Sequence, residues 1–192
     1  MLWGVIPPPT GPGYQRHVFQ QPRPFCRHRC AARRFPYRDG MNTHEITTAP
    51  VSYGADGLTM AAHLARPQGE GPWPVVLIGH DGVGPDDYQR SRADNLAAHG
   101  YVALAMDYHG GETFFGRPEA MLARALPLLA DAGRMRAIGR IALEVLLATP
   151  GVDPDQLTAL GAGGRIILEL AKTGGPFKAV AVVHPALPEP DA

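Results

Sequence analysis

The sequence predicts an α/β fold: a mostly parallel β-sheet with helices on both faces, preceded by an N-terminal β-hairpin. Three observations support this prediction. Four short apolar runs are continuous rather than alternating, which is typical of strands buried on both faces of a parallel sheet. Segments with apolar residues at helical spacing separate these runs. A tight glycine turn, in "LTALGAGGRIILELA", joins one run directly to a helix.

The hairpin is predicted from two runs, "ITTAPVSY" and "LTMAAHLARP", which flank the turn signal "GADG". The first core strand, in "WPVVLIGHDG", ends at Gly79, and the helix "DDYQRSRADNLAAHG" ends at Gly100, a C-cap glycine. A second core strand follows in "YVALAMDYHGG".

Two helical stretches come next, "RPEAMLARALPLLA" and "AGRMRAIGRIALEVLLATP". The third core strand is "QLTALG", the last helix is "RIILELAK", and a fourth strand lies in "FKAVAVVHPAL". The order β-α-β-α-α-β-α-β after the hairpin favours a parallel sheet with right-handed crossovers.

Charge divides the 192-residue chain into two segments. Residues 1–40 hold seven Pro and seven Arg against one acid, a balance of +6, whereas residues 41–192 hold eleven basic and seventeen acidic residues, a balance of −6. The first segment has too little apolar surface to offset its ordering entropy, so we expect it to be disordered. Two hypotheses would explain this segment. Either the natural protein starts at Met41 and the sequence begins too far upstream, or the segment is a targeting peptide. Residues 41–192 are the predicted folded domain, and the net charge of zero does not favour nucleic acid as a partner.

The two cysteines, Cys26 and Cys30, lie in the basic segment and flank His28. A structural zinc site requires four ligands, and no second pair follows, so we expect no metal or cofactor. The folded domain therefore has no disulfide framework, which favours a cytoplasmic location. The sequence contains no run of about 18 to 20 apolar residues, so we expect no membrane partner.

Polar residues follow the predicted strands at their carboxyl ends, where open α/β sheets bind ligands. These candidates are His80, Asp81, Gly82, Asp107, His109, the "GAGG" turn from Gly161 to Gly164, and His184. Each has a structural interpretation as well, because an Asp after a strand commonly caps the next turn. Imidazole and carboxylate also suit divalent metals, but the sequence does not fix the geometry of such a set.

The glycine turn admits three interpretations. It lacks the third glycine of the dinucleotide fingerprint, and it follows the third core strand rather than the first. The helix N-terminus, helped by Arg165, could hold an anion. A nucleophile elbow is favoured, because such strained strand-to-helix turns need small neighbours, and Gly163 and Gly164 suit that position.

The run from "DGLTMAAHLARP" through "GHDG" and "HGYVALAMDYHGG" to "KAVAVVHPAL" resembles the dienelactone hydrolase family over about residues 50–187. The resemblance implies a partial α/β-hydrolase fold and hydrolysis of an ester or lactone by a Cys-His-Asp triad, with the cysteine in a G-x-C-x-G-G elbow. Aligned without a gap, the nucleophile position falls on Gly161. With a two-residue gap, which keeps "LTALG" in phase, the nucleophile is missing altogether.

The resemblance also places Asp81 at the family's carboxylate position, where its side chain is shorter than that of the usual Glu. It implies an oxyanion hole from the backbone N–H groups of about Ala162 and of Asp81 or Gly82. The family's triad Asp and His lie beyond the sixth strand, and neither His184 nor Asp191 is assigned to them. The domain is therefore predicted to be incomplete.

Three functions remain open at this stage. The first is a dienelactone hydrolase family protein with impaired catalysis. The second is a non-catalytic module that binds a small anionic ligand through His80, Asp81, His109 and the glycine turn. The third is residual hydrolysis with His80 or His109 as general base for water. The expected partners are a small ester, lactone or carboxylate, and a second copy of the chain through an exposed sheet edge.

Overall fold

The computed structural model describes residues 43–162 and 164–185. The predicted segment boundary at residue 40 and the "CRHRC" motif lie outside the described residues. The strands are β1 Ile46–Ala55, β2 Leu58–Pro67, β3 Trp73–Gly79, β4 Val102–Ala105, β5 Val152–Ala162 and β6 Phe177–Val183. The helices are α1 Asp87–Ala98, α2 Pro118–Leu129, α3 Ala132–Leu147 and α4 Arg165–Lys172.

The six strands form one sheet in the order β1-β2-β4-β3-β5-β6. The hairpin pair β1–β2 and the pair β2–β4 are antiparallel, whereas β3 pairs in parallel with β4 and β5, and β5 pairs in parallel with β6. The predicted hairpin followed by a mostly parallel sheet is therefore confirmed.

The central strand β3 is buried on both faces because its apolar residues serve two separate cores. Val75 and Leu77 belong to the core that contains α3 and α4 residues. Val76 and Ile78 belong to the second core, which α1 covers. This alternation confirms the prediction of helices on both faces, and it explains why the run is apolar without interruption.

The fourth predicted core strand differs from the prediction. Five of the seven residues of β6 are exposed, and the side chains include Val180 and Val183, which are 37% and 56% exposed. The strand is apolar in sequence, but it is the last strand of the described sheet and pairs only with β5 there. Continuous apolar character therefore did not distinguish an edge strand from a central one.

Helices α3 and α4 pack closely because Gly139 leaves room for Leu170. A Cβ atom at position 139 would lie 2.5 Å from Leu170 Cδ1 and 2.7 Å from Leu170 Cγ. Helix α2 is attached more loosely, since Leu128 is its one fully buried residue. Among the described residues, no helix has both the length and the apolar character that a bilayer crossing requires.

We expect the substitution Gly139→Ala to lower the free energy of unfolding by about 1–3 kcal/mol, because overpacking outweighs the better helix propensity of alanine. The measurement is urea denaturation. In a Leu170→Ala background the same substitution should be neutral or stabilising, since the new methyl group then fills vacated space. An equal loss in both backgrounds would show that the contact with Leu170 is not the cause.

Candidate functional site

A cavity of about 350 Å³ lies at the carboxyl ends of the parallel strands, and its volume is in the range of small-molecule sites. Gly82 and His109, which follow β3 and β4, belong to its wall together with Arg165 and His184. Most of the remaining wall is apolar and comes from α2, through Met121, Leu122, Ala125, Leu128 and Leu129.

Asp107 organises the loop after β4. Its side chain is fully buried, and its carboxylate accepts hydrogen bonds from the backbone N–H groups of His109 at 2.7 Å, Ala61 at 2.9 Å and Gly111 at 2.5 Å. Burial alone would raise the pKa of this carboxyl, but the nearby His80 and the three N–H groups outweigh it, so the pKa lies below its ordinary value. Asp107 is therefore an ionised anchor for the backbone.

The backbone of Asp107 is held as firmly as its side chain. The Tyr53 hydroxyl donates to the Asp107 carbonyl at 2.6 Å and accepts from the Asp107 N–H at 3.1 Å. Gly110 and Gly111 follow with φ angles of +76° and +79°, a region that side chains with a Cβ rarely adopt. The loop can therefore turn back sharply enough for Gly111 to reach the carboxylate.

His80 is fully buried beneath the cavity and is not among its lining residues. Its Nδ1 lies 2.6 Å from the Asp81 carbonyl, which can only accept, so Nδ1 carries the proton. Its Nε2 lies 3.3 Å from the Tyr108 backbone nitrogen and 3.6 Å from Asp107 Oδ1, and its ring stacks on Tyr108 with 3.6 Å between ring centroids. Both ring nitrogens are therefore used within the protein.

His109 presents the opposite case. Its side chain is 3% exposed, and neither ring nitrogen has a hydrogen-bond partner in the part of the chain that the structure describes. The ring packs edge-on against His80, Tyr108 and Phe114. Burial, with smaller contributions from His80 and Arg124, lowers the pKa of His109 to about 3. The imidazole is therefore neutral at physiological pH.

Asp81 and Gly82 form the turn after β3. The Asp81 carboxylate accepts from the Val83 N–H at 2.9 Å, so it closes its own turn rather than reaching toward β5. Gly82 borders the cavity, and a Cβ there would lie 3.1 Å from Met121 Sδ of α2.

The turn between β5 and α4 is tightly packed at its two described glycines. Gly161 still pairs with Gly79 and Val182, and a Cβ there would lie 3.3 Å from the Gly164 carbonyl oxygen. A Cβ at Gly164 would lie 3.1 Å from the His80 carbonyl oxygen. Gly163 lies outside the described residues. The turn thus presents hydrogen or methyl groups and no nucleophilic side chain.

Among the pockets that the described residues form, Ala162 and Gly82 border different ones. Ala162 and Gly161 line a separate small pocket of about 70 Å³ that also contacts Gln89 of α1, whereas Gly82 borders the larger cavity. The structure therefore brings Gly82, His109 and His184 around one space, places His80 and Asp107 beneath it, and leaves Ala162 elsewhere.

Arg165 gives the cavity a positive wall. Its Nη1 donates to the Leu129 carbonyl at 3.0 Å, and its Nε lies 3.5 Å from Glu169, which is 2% exposed. Arg136 and Lys172 also contact Glu169, so three cations surround one carboxylate. Burial would raise the pKa of Glu169, but Lys172 and Arg165 lower it further than burial raises it. The cluster carries a net positive charge.

The sequence did not identify the wall that α2 contributes. Met121, Ala125 and Leu128 recur at helical spacing, so an apolar stripe was readable, but a stripe alone does not say which space it faces. Arg124 was also missed, because its contacts with Asp56 and Tyr108 depend on residues far away in the chain. Among the described residues no group of three or more His, Cys, Asp or Glu side chains is placed to hold a metal ion.

Comparisons with known proteins agree on one family. Residues 60–192 match the profile described as the dienelactone hydrolase family. A solved structure named m3DLH is 33% identical, covers 74% of this chain and 61% of its own, and superposes with a TM-score of 0.69. No curated protein matches the sequence.

Two further solved structures are similar. A dienelactone hydrolase-like promiscuous phosphotriesterase from metagenomic libraries is 29% identical, with a TM-score of 0.70 and coverage of 77% of this chain and 62% of its own. A Klebsiella pneumoniae protein assigned as a dienelactone hydrolase is 20% identical, with a TM-score of 0.63 and coverage of 78% and 64%, and it supports the fold alone. The chain thus spans 61–64% of the length of these relatives.

We expect the neutral His109 to make stability depend on pH. Its pKa is about 3 in the folded chain and about 6.5 when hydrated, so below pH 6.5 the unfolded state binds the additional proton. Between pH 6.5 and pH 5 the free energy of unfolding should therefore fall by about 1.6 kcal/mol on account of this residue, with a slope that approaches roughly 1.4 kcal/mol per pH unit at the acidic end.

Urea denaturation across this pH range is the measurement. His109→Leu should remove that part of the slope, whereas His99→Leu, which removes an exposed histidine, should retain it. An unchanged slope in His109→Leu would contradict the assignment of a neutral, buried imidazole.

Proposed function

The chain belongs to the dienelactone hydrolase family, and from this premise we propose that its cavity binds a small, mostly apolar anion while covalent hydrolysis is impaired. The ligand class is a carboxylate, or an ester or lactone that carries one. The observation that carries the proposal is the turn between β5 and α4, where glycine and alanine stand in place of a nucleophile.

Covalent hydrolysis begins when a side chain attacks the carbonyl carbon of the substrate. Glycine and alanine have no atom that can form this bond. The family elbow would present a cysteine between β5 and α4, but here β5 continues through Ala162 and α4 begins at Arg165. The acyl-enzyme step therefore has no participant in this turn.

The two buried histidines are poorly suited to replace the missing nucleophile by acting as general bases for water. His80 uses both ring nitrogens within the protein and lies outside the cavity wall. His109 borders the cavity, but a group with a pKa of about 3 is a weak base for water at neutral pH. General-base hydrolysis by either residue is thus disfavoured.

Binding, by contrast, has the features of a small-molecule site. The α2 wall offers apolar surface for the body of a ligand, and Arg165, at the start of α4, offers a positive charge. No carboxylate lies among the described residues that border the cavity. An anionic group near Arg165 would therefore gain a charge-assisted hydrogen bond, and Arg136 and Lys172 offset the charge of the nearby Glu169 carboxylate.

We expect calorimetric titration of the full chain to show binding of benzoate and much weaker binding of the neutral benzamide. Arg165→Gln should lower benzoate affinity about tenfold or more, because a hydrogen bond to a charged group contributes about 1.5–3 kcal/mol. The matched control is Arg140→Gln, an exposed arginine of α3 paired with Glu144, which should bind as the wild type does. Equal affinity for benzoate and benzamide would contradict the proposed anion selectivity.

We further expect no acyl-enzyme. Incubation with p-nitrophenyl butyrate should release p-nitrophenol no faster than buffer alone and without a stoichiometric burst, and mass spectrometry should find no adduct on the peptide covering residues 157–172. An acyl adduct on that peptide, or a burst of one equivalent, would show that a covalent route survives.

A further inference from the structure

The peptide bond between Tyr108 and His109 is held from both sides by charged groups. The His109 N–H donates to Asp107 Oδ1 at 2.7 Å. The carbonyl of Tyr108 accepts from Arg124 Nη2 at 2.6 Å. Both residues of this peptide border the cavity, so the orientation of the peptide determines where the two rings lie.

Arg124 belongs to α2, the helix that forms the apolar wall. It is held in turn by Asp56, whose Oδ2 accepts from Arg124 Nη1 at 3.2 Å. Asp56 lies at the tip of the β1–β2 hairpin with a φ angle of +56°, and its side chain is 11% exposed. Arg124 therefore connects three parts of the fold: the hairpin tip, α2 and the loop after β4.

Asp56 also pairs with a second arginine. Arg134 of α3 donates to it through Nε at 2.5 Å and Nη2 at 2.6 Å. Hydrogen bonding from Arg134, supported by Arg124, holds the pKa of Asp56 below its ordinary value despite partial burial. Asp56 is thus a stable anion around which two arginines are arranged, and of these Arg124 alone also donates to the Tyr108 carbonyl among the described contacts.

Apolar burial and capping contribute little to fixing the position of α2. One of its residues is fully buried, its N-cap residue Arg117 makes no capping side-chain hydrogen bond, and Leu122 and Leu126 are 47% and 56% exposed. The link through Arg124 in its middle, together with the hydrogen bond from Arg165 to the Leu129 carbonyl at its end, therefore helps to hold the wall beside His109.

We propose that Arg124, held by Asp56, is a positioning residue for ligand binding: it fixes the Tyr108–His109 peptide and the α2 wall in the arrangement that accepts the ligand. This inference rests on the proposed function of the cavity. Neither residue touches the ligand, since neither borders the cavity. Ligand affinity is thus controlled from the hairpin tip, a part of the fold outside the site.

The test compares Arg124→Met with Arg134→Met in the full chain. Both remove one arginine from Asp56 and one positive charge, but only the first releases the Tyr108 carbonyl. Benzoate affinity should fall about tenfold in Arg124→Met and by less than about twofold in Arg134→Met. Asp56→Asn should weaken benzoate binding as well, because it releases Arg124. Arg124→Lys should bind benzoate more tightly than Arg124→Met does, because the lysine ammonium can still donate a hydrogen bond.

A second measurement distinguishes a positioning role of Arg124 from a role that only stabilises the fold. In spectra of the chain with ¹⁵N-labelled histidine and no ligand, the ring nitrogens of His109 should shift in Arg124→Met and stay near their wild-type values in Arg134→Met. Urea denaturation at the same temperature shows that each variant is folded when affinity is measured.

The outcomes are distinct. If the wild type binds no benzoate, the proposed function fails and the inference falls with it. If the wild type binds benzoate but Arg124→Met retains its affinity, or loses no more than Arg134→Met, the inference alone is overturned. Loss of affinity without a change at the His109 nitrogens would likewise overturn it, since the peptide would not have moved.

Discussion

The buried carboxylate of Asp107 is the interaction on which the site depends. Its two oxygens satisfy three backbone N–H groups, one from β2 and two from the loop after β4. A buried N–H without an acceptor costs about 1–3 kcal/mol, and the carboxylate satisfies the buried His109 N–H and two part-buried N–H groups with charge-assisted hydrogen bonds. The hairpin and the loop after β4 therefore bind the same carboxylate, and a shift of either one affects the other.

This arrangement separates charge from the ligand space. Asp107 and Asp56 are ionised, yet each is enclosed by donors outside the cavity, and His109 at the wall is neutral. Arg165 is therefore the side chain at the wall whose charge is permanent. Arg165 belongs to a cluster of net positive charge around Glu169, and beside an apolar wall such a cluster favours an anion over a neutral molecule of the same shape, because water screens the interaction less there.

The sequence predicted the features that depend on local pattern. Continuous apolar runs indicated β3, β4 and β5, helical spacing indicated all four helices, and the strand ends indicated the edge where the cavity lies. It also offered the turn-capping interpretation of Asp107, which is the geometry that the structure has.

Features that depend on distant partners could not be predicted in this way. The link from Arg124 to Asp56 joins residues 68 positions apart, and the hydroxyl of Tyr53 reaches Asp107 across 54 positions. His80 and His109 look equivalent in sequence, since each follows a core strand, but three-dimensional packing gives one both of its partners and the other none among the described residues. The exposure of β6 depends on what lies beside it, which its own apolar residues do not reveal.

Helix α2 supplies most of the apolar wall of the cavity while burying one residue in the core. Substitutions at Met121, Leu122 or Ala125 therefore reshape the ligand space at little cost to folding, whereas the polar floor tolerates almost no change. Shape selectivity and fold stability are in this way encoded by different residues. Single substitutions in the α2 wall can thus alter which molecules fit while the core of this chain stays intact.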